Sequence, residues 1–287
     1  MADSIPAAEP ISALAERLVA SIRPYERCLV AYSGGVDSVV VAKAAHVALG
    51  DGAIAITGVS ASLAAGELEG AERIAAAIGI RHEVIRTDEL ASPDYLQNGT
   101  DRCFHCKTEL YTQLRREAEQ RGVAVILNGA NTDDLGDYRP GMTAASQHDV
   151  RSPLAECGFD KATVRQLAQY WQLEAWDKPA TPCLSSRVAY GLGITPERLQ
   201  MIDAAEQVLR EAGLQSVRVR LHANELARLE VPVAALPRLC DEGLRSHVVA
   251  RLREIGFRFV TLDLEGFRSG SFQNLVSTED LIRFSQK

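Results

Sequence analysis

A chain of 287 residues is long enough for two domains, and 46% hydrophobic with 24% charged residues is the makeup of an ordinary globular protein able to bury a full core. The formal net charge of −7 counts against a protein whose main work is gripping nucleic acid, since such proteins carry a basic stripe. No stretch approaches the ~18–20 consecutive apolar residues that a membrane span needs.

The first residues, "MADSIPAAEPISALAERLVASIRPYERC", place acids early and lack a basic stretch followed by an apolar one. They predict an amphipathic helix and no secretory signal. The expected compartment is the cytoplasm, where thiols stay reduced, so the six cysteines point to metal binding or chemistry before disulfides. Residues 28–32 (CLVAY) predict a short buried strand, and 38–49 a helix rich in small residues. "AIAITGVSAS" predicts a second strand, followed by a helix over 65–78 closed by Gly79. "RHEVIRT" predicts a third strand, half exposed by its charges. A helix over 105–121 stops at Gly122, and "VAVILNGAN" predicts a fourth strand.

Strands that alternate with helices and are apolar nearly throughout predict a doubly wound parallel sheet covered on both faces. In such sheets ligands bind beyond the carboxyl ends of the strands. Ser33–Ser38, Ser60–Ser62 and Asn128–Asp134 all fall there. After about residue 190 the pattern changes to a helix over 195–212, the strands "SVRVRLH" and "LARLEV", a helix through 233–255 and the strand "FRFVTLDL". The expected organisation is therefore a first domain over 1–189 and a smaller α+β domain over 190–287, linked at "AYGLGI".

The stretch "LVAYSGGVDSVVVAK" (29–43) puts two glycines, a carboxylate and two hydroxyls between a strand and a helix. Free backbone N–H groups at a helix N-terminus, together with the helix dipole, favour an anion there. The Walker pattern GxxxxGK[ST] is absent, and no GxGxxG follows a strand. Ser33-Gly34-Gly35-Val36-Asp37-Ser38 resembles instead the SGGxDS loop of the PP-loop ATP pyrophosphatases. That resemblance implies the adenine nucleotide alpha hydrolase-like fold, cleavage of ATP between its α and β phosphates, and adenylation of a substrate oxygen. It makes Ser33, Gly34, Gly35, Asp37 and Ser38 the holders of pyrophosphate, with Mg2+ at Asp37. Val59 and Ser60 lie where the adenosine would sit, and Gly129, Asp133 and Lys107 join the nucleotide side. Asp133 has an alternative as a turn cap, and Lys107 as a solvated surface lysine.

Further stretches narrow the resemblance: "RCFHCKTELY" (102–111), "NGANTDDLGDYRPGM" (128–142), "SPLAE" (152–156), "KPATPCLSSRVAYG" (178–191), "VRVRLH" (217–222) and "LDLEGFRSGSFQN" (262–274). Together they resemble the LarE-type ATP-dependent sulfur transferases of nickel-pincer nucleotide biosynthesis. The resemblance implies adenylation of a carboxylate of pyridinium-3,5-biscarboxylic acid mononucleotide, then replacement of AMP by sulfur to give a thiocarboxylate. It also implies assembly into a homo-oligomer. A carboxylate becomes a useful acyl donor only once its oxygen belongs to a good leaving group, and a thiolate or sulfide can then attack.

Cys103 and Cys106 form a CxxC at a helix start, and Cys183 follows a proline-rich turn. Within LarE-like proteins one type sacrifices the cysteine at the position of Cys183. A second, with the extra CxxC, holds a [4Fe-4S] cluster on all three thiolates, and the CxxC here favours that route. Three ligands leave one iron open to carry sulfide; the sulfide source stays open. By their residues alone, the three cysteines with His105 or His148 could instead make a structural zinc site. Cys28, Cys157 and Cys240 sit in or beside apolar segments and are expected to be buried structural cysteines.

Ser186 and Arg187 are expected to line the Cys183 pocket. Arg218 and Arg220 alternate with valines, so both guanidiniums share one strand face, and their forks suit a phosphate. The resemblance makes them the substrate phosphate site and matches Glu206, whose simpler role is to pair with an arginine. The rival readings are a PP-loop tRNA thiolation enzyme, disfavoured by the net acidity, and a nucleotide-binding regulator without turnover.

Overall fold

A computed structural model describes residues 9–135 and 140–268 of the chain. Residues 136–139 and 269–274 of the quoted stretches lie outside these. Four strands, β1 (Cys28–Ala31), β2 (Ala53–Val59), β3 (Arg81–Arg86) and β4 (Val125–Leu127), form an all-parallel sheet of order β3-β2-β1-β4. The chain steps outward from β1 to β3 and then returns to the far side of β1. The order therefore reverses beside β1, and the crevice at the carboxyl end of β1 is the switch point where such sheets take ligands.

The sheet is apolar on both faces because alternate residues point to opposite sides. Cys28, Val30, Ala53, Ala55 and Leu127 join the core built with helices Ile11–Ile22, Val36–Leu49 and Lys161–Tyr170. Leu29, Ile54, Ile56 and Ile126 are buried on the opposite face. Helix Arg102–Gln120 packs there, and a Cβ added at Gly58 would lie 2.7 Å from Leu110 Cδ1. The α/β architecture expected from alternation is the one observed. Its strands end where the polar residues begin.

A second sheet is formed by β5 (Arg218–His222), β6 (Leu226–Glu230) and β7 (Phe259–Leu262), with β5 antiparallel and β7 parallel to β6. Helices Pro196–Glu211 and Glu242–Ile255 pack on each other and contribute to its core. The single helix expected over 233–255 is broken into a turn, a short helix Leu236–Cys240 and helix Glu242–Ile255. The break is local chemistry: Asp241 leaves the helical region at ψ 135°, and its carboxylate accepts from the N–H groups of Gly243 and Leu244 as an N-cap.

The chain divides into two compact units, but not at one cut. The first unit comprises Met1–Val59, Gly66–Thr87 and Lys107–Thr181, and the second Ser60–Ala65, Asp88–Cys106 and Pro182–Lys287. The sequence places its boundary at 189/190. The difference arises because two excursions from the carboxyl ends of β2 and β3 share a core with later residues: Ala64 and Tyr95 pack with Leu184, Val188 and Ile202. Among the described residues no helix is long and apolar enough to cross a membrane.

Candidate functional site

In the first unit, the turn after β1 is shaped by Gly34 and Ser38. Gly34 has φ +69°, a left-handed conformation that a side chain resists, and a Cβ there would sit 3.0 Å from Ala71 Cα. Buried Ser38 accepts from Ser33 N–H at 3.2 Å through its Oγ, which donates to Gly35 carbonyl at 3.0 Å. The turn is thus tied from within, while Ser33 stays exposed and Gly35 caps helix Val36–Leu49 in extended conformation without a side-chain cap. Amides at such an end suit an anion.

The residues after β4 close over this turn. Asn131 Nδ2 donates to Asp37 Oδ1 at 3.1 Å. Asp133 Oδ2 accepts from the Lys161 N–H at 3.1 Å, and the Asp133 N–H donates to Asn131 Oδ1 at 3.0 Å, so the cap of this turn is Asn131. Gly129 lies against the start of the helix, where a Cβ would be 2.7 Å from Ser38 N and 2.9 Å from Asp37 C. Gly129→Ala must therefore push backbone against backbone. It is expected to cost about 1–3 kcal/mol, as overpacking does, and to lower the midpoint of thermal unfolding, which differential scanning calorimetry reads.

Two lysines that sequence reasoning did not select also reach this turn. Lys161 Nζ is 2.5 Å from Asp37 Oδ2. Lys178 Nζ is 3.4 Å from the Gly34 carbonyl and 3.0 Å from Glu67 Oε2. Lys178 opens the quoted stretch 178–191 without being singled out there, and no sequence signal marks Lys161, which is 124 residues from Asp37. Lys107 Nζ is 6.0 Å from the centre of the Tyr111 ring, and the Tyr111 hydroxyl is 3.4 Å from Asn128 Nδ2, just after β4. Val59 ends β2, its carbonyl accepting from Thr87 N–H at 3.1 Å.

The second unit holds Cys103, Cys106 and Cys183 together with Ser60. Cys103 is exposed, and Cys106 and Cys183 are half-buried. Their surroundings are shared. Arg102 is buried and donates to Asn98 Oδ1 at 2.5 Å and to the Ser185 carbonyl at 2.9 Å. Burial alone would lower its pKa, but the negative forms of Cys103, Cys183, Tyr190 and Tyr95 hold it above the ordinary arginine value. Tyr95 is buried and bonds Ser185 Oγ at 2.6 Å. Burial raises its pKa, and Cys183, Cys106 and Glu89 add to the rise against that bond. Two side chains thus feel the cysteines pairwise, yet among the described residues no three His, Cys, Asp or Glu side chains stand close enough to hold a metal ion.

The Cys183 turn is tied down on two sides. Leu184 N–H donates to the Ser62 carbonyl at 2.8 Å, and Ser62 Oγ donates at 2.8 Å to Glu89, which also accepts from Ser60. Arg187, 0% exposed, donates to the carbonyls of Pro182 and Cys183 and pairs with Glu206 at 2.9 Å. Its side chain faces protein groups and fixes the turn. Ser186 beside it is half-buried, its carbonyl accepting from Arg220 at 2.9 Å. The other cysteines differ from one another. Cys28 is buried, which pushes its thiol up to about 12, whereas Cys240, expected to be buried, is exposed because it closes the short helix before Asp241.

Along β5 both arginines do share one face. Arg220 is nearly buried and pairs with Glu230 at 2.9 Å. Arg218, over the Phe267 ring, is pulled down to about 10 by burial and by the positive charges of Arg187, Arg220 and Arg210, against the opposing pull of Glu206. Guanidinium stays charged at neutral pH even so. Arg187 and Arg220 are themselves paired with Glu206 and Glu230, and a guanidinium fork is the donor geometry that a phosphate takes.

No family model matches the chain. An uncharacterized protein of Synechocystis sp. is 47% identical over 252 residues, which cover 88% of this chain and 94% of that protein. The pyridinium-3,5-bisthiocarboxylic acid mononucleotide synthase of Lactiplantibacillus plantarum is 37% identical over 270 residues, 93% of this chain and 96% of that enzyme. An uncharacterized protein of Methanocaldococcus jannaschii is 27% identical over 244 residues, 85% of this chain and 92% of that protein.

Proposed function

The chain belongs to the LarE-type family of the pyridinium-3,5-bisthiocarboxylic acid mononucleotide synthase, and on that premise we propose that it is an ATP-dependent sulfur transferase acting on pyridinium-3,5-biscarboxylic acid mononucleotide. The observation that carries the reading is likeness to that synthase along nearly the whole of both chains. The tied Ser33–Ser38 turn at the sheet's switch point supports the ATP half of the reaction. The arginine face of β5 supports the nucleotide-phosphate half.

In this reading a carboxylate oxygen of the substrate attacks the α-phosphorus of ATP, and the bond to the β-phosphate breaks. Pyrophosphate leaves into the Ser33–Ser38 turn, whose amides and helix dipole stabilise the charge that develops. Asp37 and Asp133 are the carboxylates that would hold Mg2+, and Val59, Ser60, Gly129 and Lys107 line the nucleotide. Arg218 and Arg220 hold the substrate phosphate. A sulfur nucleophile then attacks the acyl carbon, AMP leaves with the electron pair of the broken C–O bond, and a thiocarboxylate remains.

The sulfur centre is Cys103, Cys106 and Cys183. Arg102, the residue before Cys103, places a buried guanidinium in the same unit as the three cysteines. Three thiolates are the donor chemistry that a [4Fe-4S] cluster takes and would be its ligands if one is bound, but as placed here they do not stand close enough together to hold a metal ion. Arg187 and Glu206 orient the Cys183 turn. The site of work is the cytoplasm, and the enzyme acts as a homo-oligomer.

Incubation with ATP, Mg2+ and the dicarboxylate mononucleotide is expected to release AMP and pyrophosphate in equal amounts, measured by anion-exchange chromatography. Release of ADP and phosphate alone would overturn the loop assignment. Polynucleotide co-purification with salt-sensitive tRNA binding would favour the thiolation enzyme in its place.

A further inference from the structure

The Ser33–Ser38 turn contains no lysine, although polyphosphate sites in strand–turn–helix loops commonly draw on one for charge. The fold delivers an ammonium from elsewhere. Lys161 Nζ stands 2.5 Å from Asp37 Oδ2, and Asp37 lies in the first turn of helix Val36–Leu49. A cation at a helix N-terminus is in the wrong field, because the dipole there favours negative charge. Asp37 compensates for it, and a polyphosphate would compensate for it more fully.

The stem of Lys161 is held independently of that pair. Lys161 is the first residue of helix Lys161–Tyr170, whose N-cap Asp160 accepts from Thr163 N–H at 2.8 Å. Its own N–H donates to Asp133 Oδ2 at 3.1 Å. Only the flexible side chain beyond this anchor points at Asp37, and it is partly exposed, at 36% against 25% for the Asp37 side chain. Asn131 holds the other Asp37 oxygen at 3.1 Å, so the carboxylate keeps its place when Lys161 lets go. A second ammonium, Lys178, lies on the Gly34 side of the same turn, also on a carboxylate.

We infer that Lys161 is a polyphosphate-binding residue of this turn, held in readiness by Asp37. When a polyphosphate enters, the ammonium passes to its oxygens, and Asp37 becomes available to a divalent cation. The pair is an exchangeable counter-ion, and a partly exposed ion pair contributes too little to stability, typically ~0–1 kcal/mol, to resist the exchange. This rests on the ATP pyrophosphatase reading given above.

Binding of inorganic pyrophosphate to the full chain, measured by calorimetry in EDTA, tests it. Lys161→Met is expected to weaken binding about tenfold or more, the value of one charge-assisted hydrogen bond, while Lys161→Arg stays near wild type. In the absence of nucleotide, Mn2+ titration followed by electron paramagnetic resonance is expected to show tighter binding to Lys161→Met than to wild type, because Asp37 has lost its competitor. Asp37→Asn in the Lys161→Met background is expected to remove that gain. Equal pyrophosphate affinity in wild type and Lys161→Met would overturn the assignment, as would unchanged Mn2+ binding. A wild-type chain that binds no pyrophosphate at all would overturn the underlying phosphate-turn reading instead.

Discussion

Cys183→Ala is expected to stop thiocarboxylate formation, by at least ~10^3-fold, while pyrophosphate release from ATP continues. The two half-reactions separate because they use different groups. The turn that would take pyrophosphate is built by Gly34, Ser38 and Asp37 in the first unit, and Cys183 belongs to the second. Removing one thiol leaves the groups proposed for adenylation intact, so under the proposed function the acyl adenylate would form and be lost to water. Mass spectrometry of the nucleotide product reads the sulfur step, and a pyrophosphate assay reads the other. Full thiocarboxylate yield from Cys183→Ala would remove Cys183 from the chemistry. The mass of the wild-type chain after turnover then identifies the donor: a chain lighter by one hydrogen sulfide means that Cys183 itself was consumed, and an unchanged chain means that sulfide was carried.

Glu206→Ala is expected to destabilise the protein by about 3–5 kcal/mol, the cost of leaving a buried charge without its partner. Glu206 is 2% exposed and accepts from Arg187 Nε at 2.9 Å, Arg187 Nη2 at 3.3 Å and the Val219 N–H at 3.2 Å. With the carboxylate gone, the Arg187 guanidinium sits in the core with only neutral partners, the Pro182 and Cys183 carbonyls and the Ser186 hydroxyl. The midpoint of thermal unfolding is expected to fall on the order of 10 °C, and Glu206→Gln by less, since an amide oxygen can still accept. Because Arg187 also holds the Pro182 and Cys183 carbonyls, the surviving folded protein should lose sulfur transfer more than pyrophosphate release. A drop within ~1 kcal/mol would mean that the pair is no better than a surface one. Differential scanning calorimetry decides between them.

Several features of this protein could be read before any fold was known, and each is local. Strand positions followed from apolar runs whose alternate residues later proved to face opposite sides of one sheet, Val30 on one and Leu29 on the other. The glycine turn after β1 was legible because a strand, two glycines and a helix lie within a dozen residues. The shared face of Arg218 and Arg220 was legible because the strand period is two. Even the missed break at Asp241 carried a local signal, an N-cap acid followed by helix formers.

Tertiary structure alone decided which distant residues meet. Lys161 reaches Asp37 across 124 positions, Arg102 reaches the Ser185 carbonyl across 83, and Arg187 finds Glu206 inside a core. It also decided that Ala64 and Tyr95 pack with the residues after Pro182, which no composition shift announces. The reason is physical. Backbone preference and hydrophobic period act over a few residues, whereas a charge pair depends on distances fixed only after the layers have packed, and a sequence pattern does not record those distances.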